Sequence, residues 1–304
     1  MKKHKLIVIS GPTAVGKTAL AAAFAKLLNC PIISSDARQF YKEMCIGTAV
    51  PSKGEQQGVR HDFIQHLSIH DSYSVGDFEK DALLLVRKHF EKHPVVIMVG
   101  GSNLYNNAVV HGLDKFPKVS EKIKDHWQQQ FHEKGLKYLQ QELQKLDPDY
   151  FQSVDINNHV RLLRALYICT ASGKPYSSFL GQNKAQRSFD VISIEITMPR
   201  EKLYENINKR VDVMIENGLI DEAKALHPYK HLNALQTVGY RELFRYFEGR
   251  HNLEEAVLDI KTNTRRFAKR QLTWLRNHPC MHKISYDSQV NKNLIEKLGL
   301  KVQV

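Results

Sequence analysis

The run Gly11, Pro12, Thr13, Ala14, Val15, Gly16, Lys17, Thr18 has the spacing of a phosphate-cradling loop, G-x-x-x-x-G-K-[ST]. Glycines there let backbone N–H groups approach phosphate oxygens, the lysine adds a point charge, and the adjoining hydroxyl can hold Mg²⁺. The pattern requires a strand before it and a helix after it, so that the helix N-terminus faces the anion. Residues 5–10 are a short apolar run and residues 18–28 have helical composition, which meets the requirement. A nucleotide-hydrolysing loop also needs a neighbouring strand that ends in a carboxylate. Here the candidate strand at 94–99 runs into Gly100, Gly101 and Ser102 instead. The acid within reach is Asp36, just past an apolar strand at 31–34, where it could act as general base or outer metal ligand. A lone aspartate there would read as a turn cap; beside a phosphate loop it reads as chemistry.

These residues need a scaffold that brings strand ends together. Strand, helix and strand over 5–34 make a unit that builds a parallel sheet with right-handed connections, and ligands of such sheets bind at the strands' carboxyl ends. A helix is expected at 78–93 before the strand at 94–99, and a returning strand at 191–196. Between 117 and 172 strand signals vanish and Gln/Lys/Glu-rich segments with spaced Leu, Tyr, Phe and Trp take over, the composition of a helical insertion. Long helices are expected at 200–226 and 252–277. The expected fold is α/β: a P-loop NTPase-like parallel sheet flanked by helices, with an all-helical insertion domain. Its core is discontinuous, 1–112 and 191–304, around an insertion at 113–190.

Bulk composition narrows the function classes. The chain has 304 residues, 42% of them hydrophobic and 25% charged, enough for one large core with an appended subdomain. A mean hydropathy of −0.41 leaves no room for several membrane spans, and the basic N-terminus precedes too short an apolar run for a cleavable signal. A cytoplasmic protein that acts without a membrane is expected. Cys30, Cys45, Cys169 and Cys280 have neither metal-ligand nor redox spacing. A net charge of +12 favours a polyanionic partner without identifying one.

Basic helices sharpen that point but leave two readings open. In 252–277, Leu253, Val257, Ile260 and Phe267 form an apolar stripe, with Arg265, Arg266, Lys269, Arg270 and Arg276 on other faces. Those arginines and lysines are either a solvated face or a contact surface for a phosphate backbone, and Arg161 with Arg164 poses the same alternatives. Arg210, at the edge of the stripe Leu203, Ile207, Val211, reads from spacing alone as a surface ion-pair residue.

Taken together, the segments resemble the tRNA dimethylallyltransferases. The resemblance runs almost end to end: GPTAVGKT at 11, SSDARQFY at 34, IGTAVPS at 46, VGGSNLY at 99, VRLLRAL at 160 and SGKP at 172, then RVDVMIENGLIDEA at 210, TVGYREL at 237 and TRRFAKRQLTWLR at 264. The phosphate loop is generic; the order of these blocks is specific. The resemblance implies transfer of a dimethylallyl group from dimethylallyl diphosphate to N6 of the adenosine adjacent to the anticodon, position 37, in tRNAs reading codons that begin with U. It implies that Gly11 to Thr18 holds the donor's diphosphate, with Thr13 and Lys17 in contact, rather than a nucleotide to be hydrolysed. Asp36 would accept the adenine N6 proton, Thr18 and Asp36 would hold Mg²⁺, and Arg210 with Lys17 would neutralise the departing charge. Asp36, Ala37, Arg38, Gln39, Ser102, Val160, Arg161, Leu162, Leu163 and Arg164 would line the path of the tRNA anticodon stem-loop, bound by a monomer. Departures from the family pattern are Ala37 where Ser is common, Ser102 for Thr, Phe40 for a smaller apolar residue, and Asn103 and Asn106. A small-metabolite kinase, a non-catalytic RNA binder and a prenyltransferase of free adenine nucleotides are the rival readings.

Overall fold

The computed structural model describes residues 4–182 and 185–300. Residues 1–3, 183–184 and 301–304, expected at the ends of the core and inside the insertion, lie outside the described residues. Chain contacts divide the protein into two units, Met1–Val110 with Arg187–Val304, and His111–Gln186. The first junction falls before the expected 112/113, with residues 111–112 in the insertion, and the second before 190/191, because the sheet unit holds residues 187–189. The Arg187 guanidinium donates to Glu79 at 2.7 Å and to the Ala108 carbonyl at 2.9 Å, and the buried Phe189 ring packs on Phe90.

In chain order the sheet unit contains β1 (Lys5–Ser10), α1 (Lys17–Leu28), β2 (Ile32–Ser34), α2 (Lys53–Gln56), β3 (His61–Asp62), α3 (Val75–Phe90), β4 (Val95–Val99) and α4 (Asn103–His111), whose last residue belongs to the insertion. The insertion supplies α5 (Glu121–Leu146), α6 (Pro148–Ser153) and α7 (His159–Ser172). The sheet unit resumes with β5 (Asp190–Thr197), α8 (Arg200–Glu216), α9 (Leu219–Leu226), α10 (Tyr240–Phe247), α11 (Leu253–Asn277), β6 (His282–Ser285) and α12 (Lys292–Lys297).

The six strands are all parallel, in the order β3-β2-β4-β1-β5-β6. Helices cover both faces, so the strands are apolar on both sides. Leu6, Val8, Ile33, Val96 and Met98 point into one core with Phe78, Val211, Leu243 and Ile260. Ile7, Ile9, Ile32, Ile97 and Ile194 point into the other with Phe24, Leu203, Ile207 and Ala268. The insertion has its own core around Trp127, Leu139, Leu143, Leu162 and Leu166.

Local chemistry sets the ends of these elements. Ser74 with Asp77, and Asn252 with Glu255, form capping boxes that start α3 and α11. The expected single helix over 200–226 is two, because Gly218 takes φ 96, a left-handed conformation a continuing helix excludes. That break lets α9 turn away from α8, and Leu219 and Ala223 then bury with Leu243.

Parallel pairing puts the loops after β1, β2 and β4 at one edge of the sheet. The approach between the last two is close. A methyl group at the Gly100 Cβ position would lie 2.3 Å from Ser35 Oγ, 2.5 Å from the Ser35 carbonyl carbon and 2.7 Å from the Asp36 nitrogen. Two of those atoms are backbone and cannot rotate aside. Gly100→Ala is therefore expected to lower the stability of the chain by about 1–3 kcal/mol, as overpacking does. Urea denaturation of the two proteins checks this; an unchanged midpoint would mean the loops can part at no cost.

Candidate active site

The loop between β1 and α1 presents the N-terminus of α1 with no side-chain cap and no acid in its first turn, so its N–H groups are left for an anion. Lys17 folds back over the loop, its Nζ donating to the carbonyls of Gly11 at 3.0 Å and Pro12 at 2.8 Å. Burial pushes the Lys17 pKa down to about 8; Asp36 opposes the shift and Arg210 adds to it.

Asp36 divides its two oxygens between two tasks. Oδ1 accepts from the Arg38 N–H at 3.1 Å, which is the turn cap that spacing alone suggests. Oδ2 faces the site: it lies 3.7 Å from the position a Gly101 Cβ would occupy, and Lys17 Nζ lies 3.9 Å from the same point. Ser102 Oγ accepts from the Ala37 N–H at 3.1 Å and so ties the Asp36 turn to the end of β4. Gln39 Nε2 donates to the carbonyls of Thr48 and Ala49, and the Arg38 guanidinium to those of Asn233 and Ala234. Arg38 and Gln39 thus spend hydrogen bonds on holding neighbouring loops.

Two cavities meet at this edge. One of about 660 Å³ contains Thr13, Ala14, Gly16, Lys17 and Thr18 of the phosphate loop, and apolar lining from Ile46, Val50, Ile64 and Val213. The other, of about 460 Å³, is lined by Ala37, Arg38, Ser102, Arg241, Thr264 and Arg270. Thr13, Asp36, Thr48, Gly101, Arg210, Met214 and Phe267 line both and form the wall between them. Gly11, Pro12 and Val15 are buried beneath the loop and support it.

Three expectations change. Arg210 is not a surface ion-pair residue: it is half-buried in the shared wall and, among the described residues, makes no hydrogen bond or ion pair. Burial pushes its pKa down and the Asp36 carboxylate opposes the shift. Phe267 leaves the apolar stripe of α11 for the cavities and remains 39% exposed, while the Arg270 guanidinium sits 5.7 Å from its ring centre. In the insertion, Leu162 and Leu163 are turned into that unit's core, so they present no side chain to an RNA; Val160, Arg161 and Arg164 on the same helix are exposed. The helical period forces this split, since the buried stripe continues through Leu166 and Cys169.

Sequence reasoning missed Gln271 and Glu222. Gln271, on α11, accepts from the Thr13 N–H and donates to the Gly101 carbonyl, both at 2.9 Å. Glu222, on α9, accepts from the N–H groups of Cys45, Ile46 and Gly47 and from the Tyr240 hydroxyl, and so fixes a loop that lines the larger cavity. The only signal for either was a polar residue beside apolar ones on a helix.

Against known proteins, the IPP transferase family model matches residues 39–278, a span that begins just after Asp36. The tRNA dimethylallyltransferase of Christiangramia forsetii is 53% identical over 297 residues, covering 98% of each chain. That of Flavobacterium psychrophilum is 48% identical over 304 residues, covering 98% of this chain and 99% of its own. Among solved structures, the tRNA isopentenylpyrophosphate transferase of Bacillus halodurans superposes with a TM-score of 0.72 at 37% identity, over 98% of this chain and 95% of that one. A eukaryotic dimethylallyltransferase acting on tRNA has the same fold, with a TM-score of 0.82 at 24% identity over 99% of this chain and 81% of that one. A family model matched over most of the chain, and relatives matched along nearly its whole length, lead to one conclusion: the chain belongs to the IPP transferase family.

Proposed function

We propose that this protein transfers a dimethylallyl group from dimethylallyl diphosphate to the exocyclic N6 of a tRNA adenosine, releasing diphosphate. The observation that carries the reading is the shared wall: the Asp36 carboxylate, and the Arg210 guanidinium, which has no bonded partner among the described residues, stand between a chamber on the phosphate loop and a second, arginine-lined one. In this reading the donor's diphosphate lies on the phosphate loop, against Thr13, Lys17 and the α1 N-terminus, and its alkenyl tail against Ile46, Val50 and Val213. The adenine is swung out of an anticodon loop into the second chamber, which costs less for an unpaired base. Family membership supports the finer assignment to the adenosine adjacent to the anticodon, position 37, in tRNAs reading codons that begin with U.

The chemistry is then a balanced displacement. N6 forms a bond to the allylic carbon while that carbon's bond to the diphosphate oxygen breaks, and the electron pair leaves with the diphosphate. Adenine's amine is a poor nucleophile, so Asp36 Oδ2 takes the N6 proton as the bond forms. Lys17, Arg210 and the α1 dipole receive the negative charge that develops on the leaving group. Thr18 and Asp36 offer a hydroxyl and a carboxylate at the rim of the donor chamber, a hard-oxygen set that fits an Mg²⁺ shared with substrate phosphates. Such an ion supplies charge neutralisation on the diphosphate. Arg241 and Arg270 of the sheet unit, and Arg161, Arg164 and Val160 of the insertion, are the proposed backbone and loop contacts for tRNA.

Incubation with dimethylallyl diphosphate, Mg²⁺ and unmodified tRNA, followed by mass spectrometry of the nucleosides, should show adenosine gaining one dimethylallyl group and release of diphosphate. Adenosine left unaltered, or phosphate passed from ATP to a small metabolite, would sink the reading. Asp36→Ala is expected to slow transfer by about 10²–10⁴-fold. Its tRNA affinity should stay within about two-fold of wild type; an equal loss in binding would make Asp36 an RNA ligand instead. Lys17 generates a pH dependence of known sign. With its pKa lowered to about 8, it is charged below that pH and neutral above it. Diphosphate binding measured by calorimetry should weaken about ten-fold per pH unit above that point, if the neutral amine does not bind. Lys17→Met should flatten the profile, and a wild-type profile already flat across that range would assign the phosphate grip to other groups.

A further inference from the structure

Gln271 spends both ends of its carboxamide on the active-site wall. Its Oε1 accepts from the Thr13 N–H at 2.9 Å and its Nε2 donates to the Gly101 carbonyl at 2.9 Å, with the side chain 5% exposed. Thr13 belongs to the phosphate loop and Gly101 to the loop after β4, and among the described residues these two segments share no backbone hydrogen bond. The Gly101 side of this bridge is coupled to the base. The neighbouring Gly100 is locked against the Ser35–Asp36 backbone, and Asp36 Oδ2 lies 3.7 Å from the Gly101 Cβ position. Moving the Gly101 carbonyl therefore moves Asp36 relative to Thr13.

We propose that Gln271 is a positioning residue for the transfer reaction, a clamp that sets the gap between the diphosphate grip and the base. The inference rests on the reading of the two cavities as donor and acceptor chambers; transfer by the wild-type protein tests that reading, and the variants below test the clamp. A carboxamide suits the position for a chemical reason. The site needs one donor and one acceptor with no net charge, because Asp36 from the loop after β2, Lys17 from α1 and Arg210 from α8 already carry charge there. Leucine offers neither bond, asparagine is one methylene too short to span both, and an ionised carboxylate has no donor for the Gly101 carbonyl.

The experiment measures transfer with Gln271→Leu, Gln271→Asn and Gln271→Glu. The Leu and Asn variants should lose about ten- to a hundred-fold in kcat, the scale of an ångström-sized misplacement. The KM for dimethylallyl diphosphate and the Kd for tRNA should stay within about three-fold of wild type. Gln271→Glu supplies a readout that a merely structural role would not move. Protonated, its carboxyl offers an O–H to Gly101 and a C=O to Thr13, so its rate relative to wild type should climb as pH falls from about 8 to about 5.5. Lys17 and every other group of the site are common to both proteins, and the ratio isolates the introduced one. Wild-type kcat in Gln271→Leu, a loss found wholly in donor KM, or a flat Gln271→Glu ratio would each overturn the proposal. Should thermal melting show that the Leu and Asn variants do not fold, the Gln271→Glu ratio alone decides.

Discussion

The site depends on keeping the Lys17 ammonium inside the protein without giving it a bonded carboxylate. Its partners are two carbonyl oxygens of its own loop, which solvate the charge without cancelling it. Removing an ion from water in this way is unfavourable, and the depressed pKa is the sign of that cost. Arg210 is in the same condition, half-buried with no bonded partner among the described residues. Two unneutralised cations facing one chamber make a standing potential for a doubly charged ligand, present before that ligand arrives. A diphosphate would find the electrostatic work already done.

The same potential explains why the acid stands where it does. Placed in direct contact with Lys17, Asp36 would form an ion pair and cancel the charge of the ammonium. Instead one of its oxygens is held by a turn and the other faces the wall both chambers share. The spacing is a backbone matter: Gly100 admits the Asp36 turn, Ser102 ties it to the loop after β4, and Gln271 bridges from Gly101 of that loop to the phosphate loop. Asp36 and Lys17 are thus kept near each other by neutral hydrogen bonds, which leaves their charges uncancelled.

Much of this was legible in the chain. The phosphate loop, Asp36 and the central strands follow from local pattern, because each is a short run whose chemistry is carried by neighbours in sequence. The helical insertion also announced itself by composition, though Arg187 and Phe189 shifted its border through contacts no local pattern reveals. What stayed hidden depends on distant partners. Gln271 meets Thr13 across 258 positions, and Glu222 meets the loop at Cys45 across 177. Spacing alone misplaces Arg210 and Phe267 for a related reason: periodicity assigns a residue to core or surface and has no symbol for the lining of a cavity, and only the resemblance set Arg210 in the site. The strand β3, of two residues, is too short to leave a period-two signature at all.

The sheet order has a consequence for how the molecule comes into being. β1 is flanked by β4 and β5, and β5 lies on the far side of the whole insertion. During synthesis the phosphate loop therefore emerges long before its strand can be enclosed on both edges, and Gln271 emerges later still. Pairings of such wide sequence separation form slowly, since a long loop must be closed before any contact rewards it. Until the last third of the chain has left the ribosome, the nascent protein holds the phosphate-binding motif without the bridge that sets its distance from the acid.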